Sequence, residues 1–378
     1  MRKRSVIIGF AIAWMASTVL AATQWVSEQE IRIGASVVLT GPLGAQTFEY
    51  GEGSRLYFDA VNAAGGIHGR KIVYRTRDDG FDVNRAVENT KALLEQDQVF
   101  LIYNNTGTAH TAAILPLVAE TKTVVFGPVT GASALRQTYH KHLFHVRAGY
   151  ADEAARIVRQ LHELGVQRVA ALFQDDAFGK ALLAEVRKAA TARQLDLVAQ
   201  VALDPKQPAF DAAAQASAKA APQALIMCTA GSTFTGSLKA LAATAARPVV
   251  YGFSVVSVDQ VNKDLGPASR GIVLAQIVPS LANGANPAVS EYLALVRAKG
   301  GNAKPTTTQF EGFMHARVLV EGLKRAGRNL TTETLVQALE SGGEIAFGKF
   351  AVRYTPQAHN GSSYVELAII DADGRLRY

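Results

Sequence analysis

Residues 62–80, NAAGGIHGRKIVYRTRDDG, decide how the rest of this chain is read. A helix pattern ends at Asn62-Ala63-Ala64, and Gly65-Gly66 supply the turn that releases it. Lys71-Ile72-Val73-Tyr74-Arg75 then reads as a strand, and Asp78-Asp79-Gly80 as an acidic loop. The apolar run IRIGASVVLTGP lies upstream of this unit and VFLIYNN lies downstream. Helix, turn, strand and loop therefore stand between two further strands.

The same alternation extends outward in both directions. Strand patterns are expected at 31–38, 71–75, 99–102, 123–126, 168–173, 197–201, 224–227, 249–251 and 272–275. Helical patterns fall between them, at 51–63, 83–96, 111–120, 152–164, 179–193, 208–220 and 233–243. Such an order implies an α/β protein whose parallel sheets are covered on both faces. Beyond residue 285 the chain turns mainly helical, at 288–299, 308–327 and 332–339, and it closes with strands at 350–354 and 364–371. No long Pro/Gly/Ser linker, internal repeat or low-complexity tract interrupts it.

With 378 residues, 48% hydrophobic and 19% charged, the chain has apolar material for two cores of ordinary size. Its start, residues 1–22, has the form of a cleavable signal peptide: Arg2-Lys3-Arg4, an apolar stretch to Leu20, then Ala21-Ala22. A periplasmic location follows from that reading. The lone cysteine, Cys228, lies in an apolar run and reads as a small buried residue. Of the net charge of +7, Arg2, Lys3 and Arg4 carry three, and the remainder is spread without a basic cluster. Nucleic acid is excluded as a partner on that ground.

Two loops at successive strand ends combine hydroxyls, glycine and a following helix. They are Tyr103-Asn104-Asn105-Thr106-Gly107-Thr108-Ala109 and Gly127-Pro128-Val129-Thr130-Gly131-Ala132-Ser133. Ligands of open parallel sheets bind outside such strand ends, and free N–H groups at a helix start suit a carboxylate. The alternative is plain capping of the helices by Thr108 and Ser133.

In order and spacing these segments resemble the type I periplasmic solute-binding proteins, in particular the leucine/isoleucine/valine-binding subfamily that feeds ABC importers. The resemblance spans nearly the whole chain after residue 22. It implies two doubly wound Rossmann-like lobes joined by a three-segment hinge near 145–149, 275–279 and 347–350. One lobe would hold 23–146 and 278–348, the other 147–277 and 349–378. It also implies a monomer that closes on a small solute, an amino acid or other small carboxylate, and hands it to ABC permease subunits at the inner membrane. Neither cofactor nor catalysis is implied, though a ligand-sensing regulator and an exported enzyme remain as other readings.

Carried over position by position, the resemblance gives Thr106, Gly107 and Thr108 as the first carboxylate loop and Val129, Thr130 and Gly131 as the second. Gln46 and Thr47, in the entry loop 39–47, would sit over the ligand. Tyr150 and Phe178 would wall it from the far side. Where the amino-acid binders place an acid for the ligand's ammonium, this chain has Ser254. Either Glu311, Asp259 or another acid supplies the charge, or the ligand has no amino group.

Other features read as scaffold. Asp78-Asp79 and Asp175-Asp176 precede helices, where acids cap and complement the helix dipole. His140, His142 and His145 form the best metal pattern, but on a strand only two of them share a face. No phosphate loop, dinucleotide turn, serine elbow or HExxH appears.

Overall fold

The computed structural model describes residues 26–378 except 42 and 301–303, so the expected signal peptide lies outside the described residues. The first lobe opens with β1 (Glu30–Val37), α1 (Gly44–Ala63), β2 (Lys71–Asp78), α2 (Val83–Glu95), β3 (Leu101–Tyr103), α3 (Thr108–Glu120), β4 (Val124–Phe126), α4 (Ala134–Gln137) and β5 (Leu143–Phe144). The chain then crosses over. It builds α5 (Tyr150–Glu163), β6 (Arg168–Gln174), α6 (Ala177–Ala192), β7 (Asp196–Leu203), α7 (Phe210–Lys219), β8 (Ala224–Cys228), α8 (Gly231–Ala242), β9 (Val249–Gly252), α9 (Val258–Leu265) and β10 (Val273–Gln276). It returns as α10 (Pro287–Lys299), α11 (Thr307–Ala326), α12 (Thr332–Ser341), β11 (Ile345–Phe347) and β12 (Phe350–Val352), and ends in β13 (Glu366–Ile370) and β14 (Leu376–Arg377).

Two sheets result. The first is parallel throughout, in the order β2-β1-β3-β4-β5. The second runs β14-β13-β10-β9-β8-β6-β7, and only its β13 and β14 pairings are antiparallel. Each sheet is covered on both faces. In the first, one core gathers α1 and α10–α12, and a smaller one gathers α2 and α3. In the second, α5 and α6 pack on one face and α7–α9 on the other. Cys228 is fully buried in β8, where burial pushes its thiol far up.

The quoted stretch shows why the first sheet forms. Asn62, at the end of α1, donates to Ile72 O (2.8 Å) and accepts from Ile72 N (2.8 Å), which pins helix end to strand. Gly65 and Gly66 between them have φ of +101° and +75°, which side chains with a Cβ rarely adopt. Asp78 and Asp79 do not cap α2; Asp82 does, accepting from Arg85 N at 2.9 Å. Asp78 instead ties the loop after β1, accepting from Leu39 N (2.8 Å) and Thr40 Oγ1 (2.7 Å), while Asp79 accepts from Ser36 Oγ (2.8 Å). In the second lobe Asp176 is a cap, accepting from Gly179 N at 2.8 Å.

Only Leu143–Phe144 of the histidine segment is strand. His145 turns inward, its Nε2 3.1 Å from Leu135 O. Among the described residues no three His, Cys, Asp or Glu side chains gather to hold a metal ion. No helix among them is long and apolar enough to cross a membrane.

The first crossing is laced to a later segment: His145 N donates to His359 O (2.9 Å) and Ser362 N to Val146 O (2.9 Å). Phe350, Val352 and Tyr354 pack into the first lobe's main core. The hairpin β11–β12 therefore packs with the first lobe's core.

Candidate functional site

Both sheets reverse their strand order at one place, between β1 and β3 in the first and between β6 and β8 in the second. The loops leaving those strands are where open α/β sheets bind ligands. Here they face one another across a cleft with about 640 Å³ of empty space, its mouth included. The first lobe contributes Gln46, Thr47, Thr106, Gly107 and Val129; the second contributes Tyr150, Gln174, Phe178, Ala230 and Val255.

The two hydroxyl loops adjoin. Thr106 and Val129 form a parallel bridge, with Gly107 N donating to Val129 O at 3.3 Å and Val129 N to Asn105 O at 2.9 Å. Gly107 is the N-cap of α3, with φ of +107° and no side chain to cap with. A Cβ there would lie 2.5 Å from His110 Nδ1. The N–H groups of the first turn of α3 thus have no intrahelical acceptor and start beside the cleft.

Thr108 caps nothing: its hydroxyl meets that of Thr130 at 2.8 Å, both buried. Ser133 likewise makes no capping bond to α4. Neither Thr108 nor Thr130 lines the cleft directly. Their hydrogen bond ties the two loops together. Gly131 lies against Tyr150, where an added Cβ would come within 2.5 Å of Tyr150 Cδ1, so it serves close packing. Tyr150 and Phe178 meet edge to face, centroids 6.0 Å apart.

At the crossing stands a residue that sequence reading passed over. Arg147 lines the cleft, yet only 1% of its side chain is exposed. Its guanidinium lies 3.8 Å from Glu153 and 3.7 Å from Glu311, and it hydrogen-bonds Ser254 Oγ. Ser254 in turn donates to Glu153 through its backbone N (2.8 Å) and its hydroxyl (3.0 Å). Ser254 is therefore tied into this ionic corner; it lines a smaller neighbouring cavity, with Asp259, and not the main cleft. Burial works against the charge on Arg147, but Glu311, Tyr150 and Glu153 more than offset it and hold the guanidinium protonated. Burial raises Glu153 to about 7 against the pull of Arg147 and Ser254, and raises Glu311 against Arg147. The only signal in the sequence was a charged residue inside the apolar, aromatic run Leu143–Tyr150.

A family model described as "Periplasmic binding protein" matches residues 30–375. The chain belongs to the periplasmic binding protein family. Among curated relatives, it is 23% identical over 349 residues to the Leu/Ile/Val-binding protein homolog 7 of Brucella suis biovar 1, covering 86% of this chain and 84% of that one. A substrate-binding periplasmic protein from Ralstonia solanacearum superposes with a TM-score of 0.85 at 27% identity, over 92% of this chain and 99% of its own. An extracellular ligand-binding receptor from Verminephrobacter eiseniae gives 0.85 at 28% identity, over 92% and 100%.

In this periplasmic binding protein the lobes already touch at the rim of the cleft. Gln46 Nε2 donates to Val255 O (2.6 Å) and Ser257 Oγ donates to Glu49 (3.2 Å). Burial pushes Glu49 up from 4.5 to about 6; hydrogen bonds from Thr306 and Ser257 pull it down, and Asp259 pushes it further up. A raised carboxyl means that the closed form binds the proton more tightly than an exposed one. Its contribution to closure is complete below pH 4.5 and disappears as pH rises through about 6. Small-angle scattering of the empty protein should show the radius of gyration growing across that window, with a flatter profile for Glu49→Gln. An identical profile in the variant would remove Glu49 from the rim contact.

Proposed function

We propose that this protein is a periplasmic receptor of an ABC importer, capturing an amino acid or other small carboxylate between its lobes by hinge closure. The observation that carries the reading is the cleft itself. Helix-start N–H groups and the Thr106 and Gly107 loop face aromatic walls that belong to the opposite lobe. Contacts from both sides exist together only when the lobes meet, so ligand shifts the population toward closure. The name of the Brucella relative supports a ligand of the leucine, isoleucine or valine kind.

The ligand-binding residues in this reading are Gln46, Thr47, Thr106, Gly107, Val129, Tyr150 and Phe178, with Thr108, Thr130 and Gly131 holding the loops in shape. Ser254 acts through Arg147 and Glu153. The lobes are residues 23–146 with 278 to about 354, and 147–277 with the remainder. The signal peptide at 1–22 delivers a monomer to the periplasm, and permease subunits receive the closed form.

Thermal shift of the mature protein with amino acids and with short-chain and aromatic carboxylates tests the reading. A bound solute raises the melting temperature according to RT ln(1 + [L]/Kd). Thr108→Ala combined with Thr130→Ala removes the clamp, and should weaken that solute by about two- to tenfold, the scale of one neutral hydrogen bond that shapes the loops. A shift given by a neutral sugar and untouched by the double change would overturn the assignment.

A further inference from the structure

Resting on the receptor reading above, we propose that Glu311 receives a cationic hydrogen-bond donor on the ligand, so that the cleft selects amino acids over carboxylates lacking the amino group. Among the described residues lining the main cleft, Glu311 is the one acid. It sits on α11, in the first lobe. Its Oε1 is buried and makes no hydrogen bond with any described residue. The nearest cations do not supply one: Arg147 Nη1 stands 3.7 Å away and His315 Nε2 3.9 Å. Both separations exceed a hydrogen bond. His315 is neutral in any case, since burial and Arg147 push it well down.

Charge counting reaches the same atom. Arg147 carries one positive charge between two carboxylates, Glu153 and Glu311. Glu153 has two hydrogen bonds from Ser254 and shares that serine with Arg147, so this corner is internally matched. Glu311 shares that one guanidinium at 3.7 Å, but its buried Oε1 accepts no hydrogen bond, and it borders the cleft. A carboxylate in that position is costly until a cation or donor reaches it. Asp259 lines only the smaller neighbouring cavity, whereas Glu311 borders both that cavity and the cleft. Tyr50, whose hydroxyl is also buried without a partner, lines the cleft with Glu311 and adds a second polar contact for the same head group.

The test compares leucine with 4-methylpentanoate, phenylalanine with 3-phenylpropanoate, and valine with 3-methylbutanoate, by calorimetry and thermal shift on the mature protein. At least one amino acid is expected to bind, its partner acid to bind at least about tenfold more weakly, and Glu311→Gln to erase most of that difference. The variant should leave the weaker acid's affinity unchanged or improved. A partner acid that matches or exceeds its amino acid in the unaltered protein overturns the role of Glu311 while leaving the receptor reading in place. Wild-type affinity for the amino acid in a folded Glu311→Gln protein overturns it as well. Silence from all these compounds overturns the proposal together with the amino-acid form of the receptor reading. Should the variant not fold, the comparison in the unaltered protein decides alone.

Discussion

Arg147→Met is expected to cost the empty protein about 3–5 kcal/mol at about pH 8, the scale for removing one partner from a buried ionic group. Two carboxylates, Glu153 and Glu311, stand within 3.8 Å and 3.7 Å of the guanidinium and are themselves buried. Without it, each must stay charged in an apolar site or take up a proton. Burial already raises Glu153 from 4.5 to about 7 with Arg147 in place, and losing the cation raises it further. A folded form that holds protons the unfolded chain has released becomes less stable as pH rises. The defect should therefore shrink to less than about half at about pH 5, where protonation costs little. Urea unfolding at the two pH values measures both quantities. Adding Glu311→Gln to Arg147→Met should restore part of the loss by removing the surplus acid, which identifies the penalty as electrostatic. A loss below about 1 kcal/mol, equal at both pH values, would show that the arginine does not hold this corner.

What could be read from the sequence and what could not divide by distance along the chain. The unit 62–80 was legible because Asn62, Gly65, Gly66 and Ile72 act on near neighbours. Parallel pairing and helical cover on both faces followed from the alternation. Helix starts were less legible: α1 begins at Gly44, where 51–63 was expected. Its first turn, with few strong helix formers, is held by contacts such as Gln46 with Val255, 209 residues away. A two-residue strand such as β5 is too short to show a period, and Phe350–Val352 could not be given to a lobe without seeing what it packs against. The hydroxyl loops were found from their composition, but the bond that joins them links residues 22 apart and shows in no local pattern. Thr108 and Thr130 were both expected at the ligand, with capping as the alternative for Thr108, and their hydroxyls meet each other. Arg147 was invisible for the same reason. Its meaning comes from Ser254 and Glu311, which no local pattern links to it.

Gly312→Ala carries the other large effect, and it reaches the cleft through the fold. Helices α1 and α11 cross with their backbones nearly in contact. A Cβ on Gly312 would stand 1.9 Å from Tyr50 O, and one on Gly53 1.7 Å from Gln309 O. Neither obstacle is the end of a flexible side chain, so the helices themselves must separate. Ser54 Oγ, which donates to Gly312 O at 3.0 Å and meets Tyr103 OH at 3.0 Å, would lose its place in the same step. A loss of about 3 kcal/mol or more is expected, at the upper end for overpacked sites. Tyr50 and Glu311 flank this crossing and both line the cleft, so spreading the helices also moves the groups that face the ligand. Gly312→Ala should therefore weaken binding in addition to lowering the melting temperature. Gly51→Ala, on the partner helix α1 with open space around the position, should do neither. Equal melting temperatures for the Gly312 and Gly51 variants would mean that the helices can part freely, and that the crossing does not fix the geometry of the cleft.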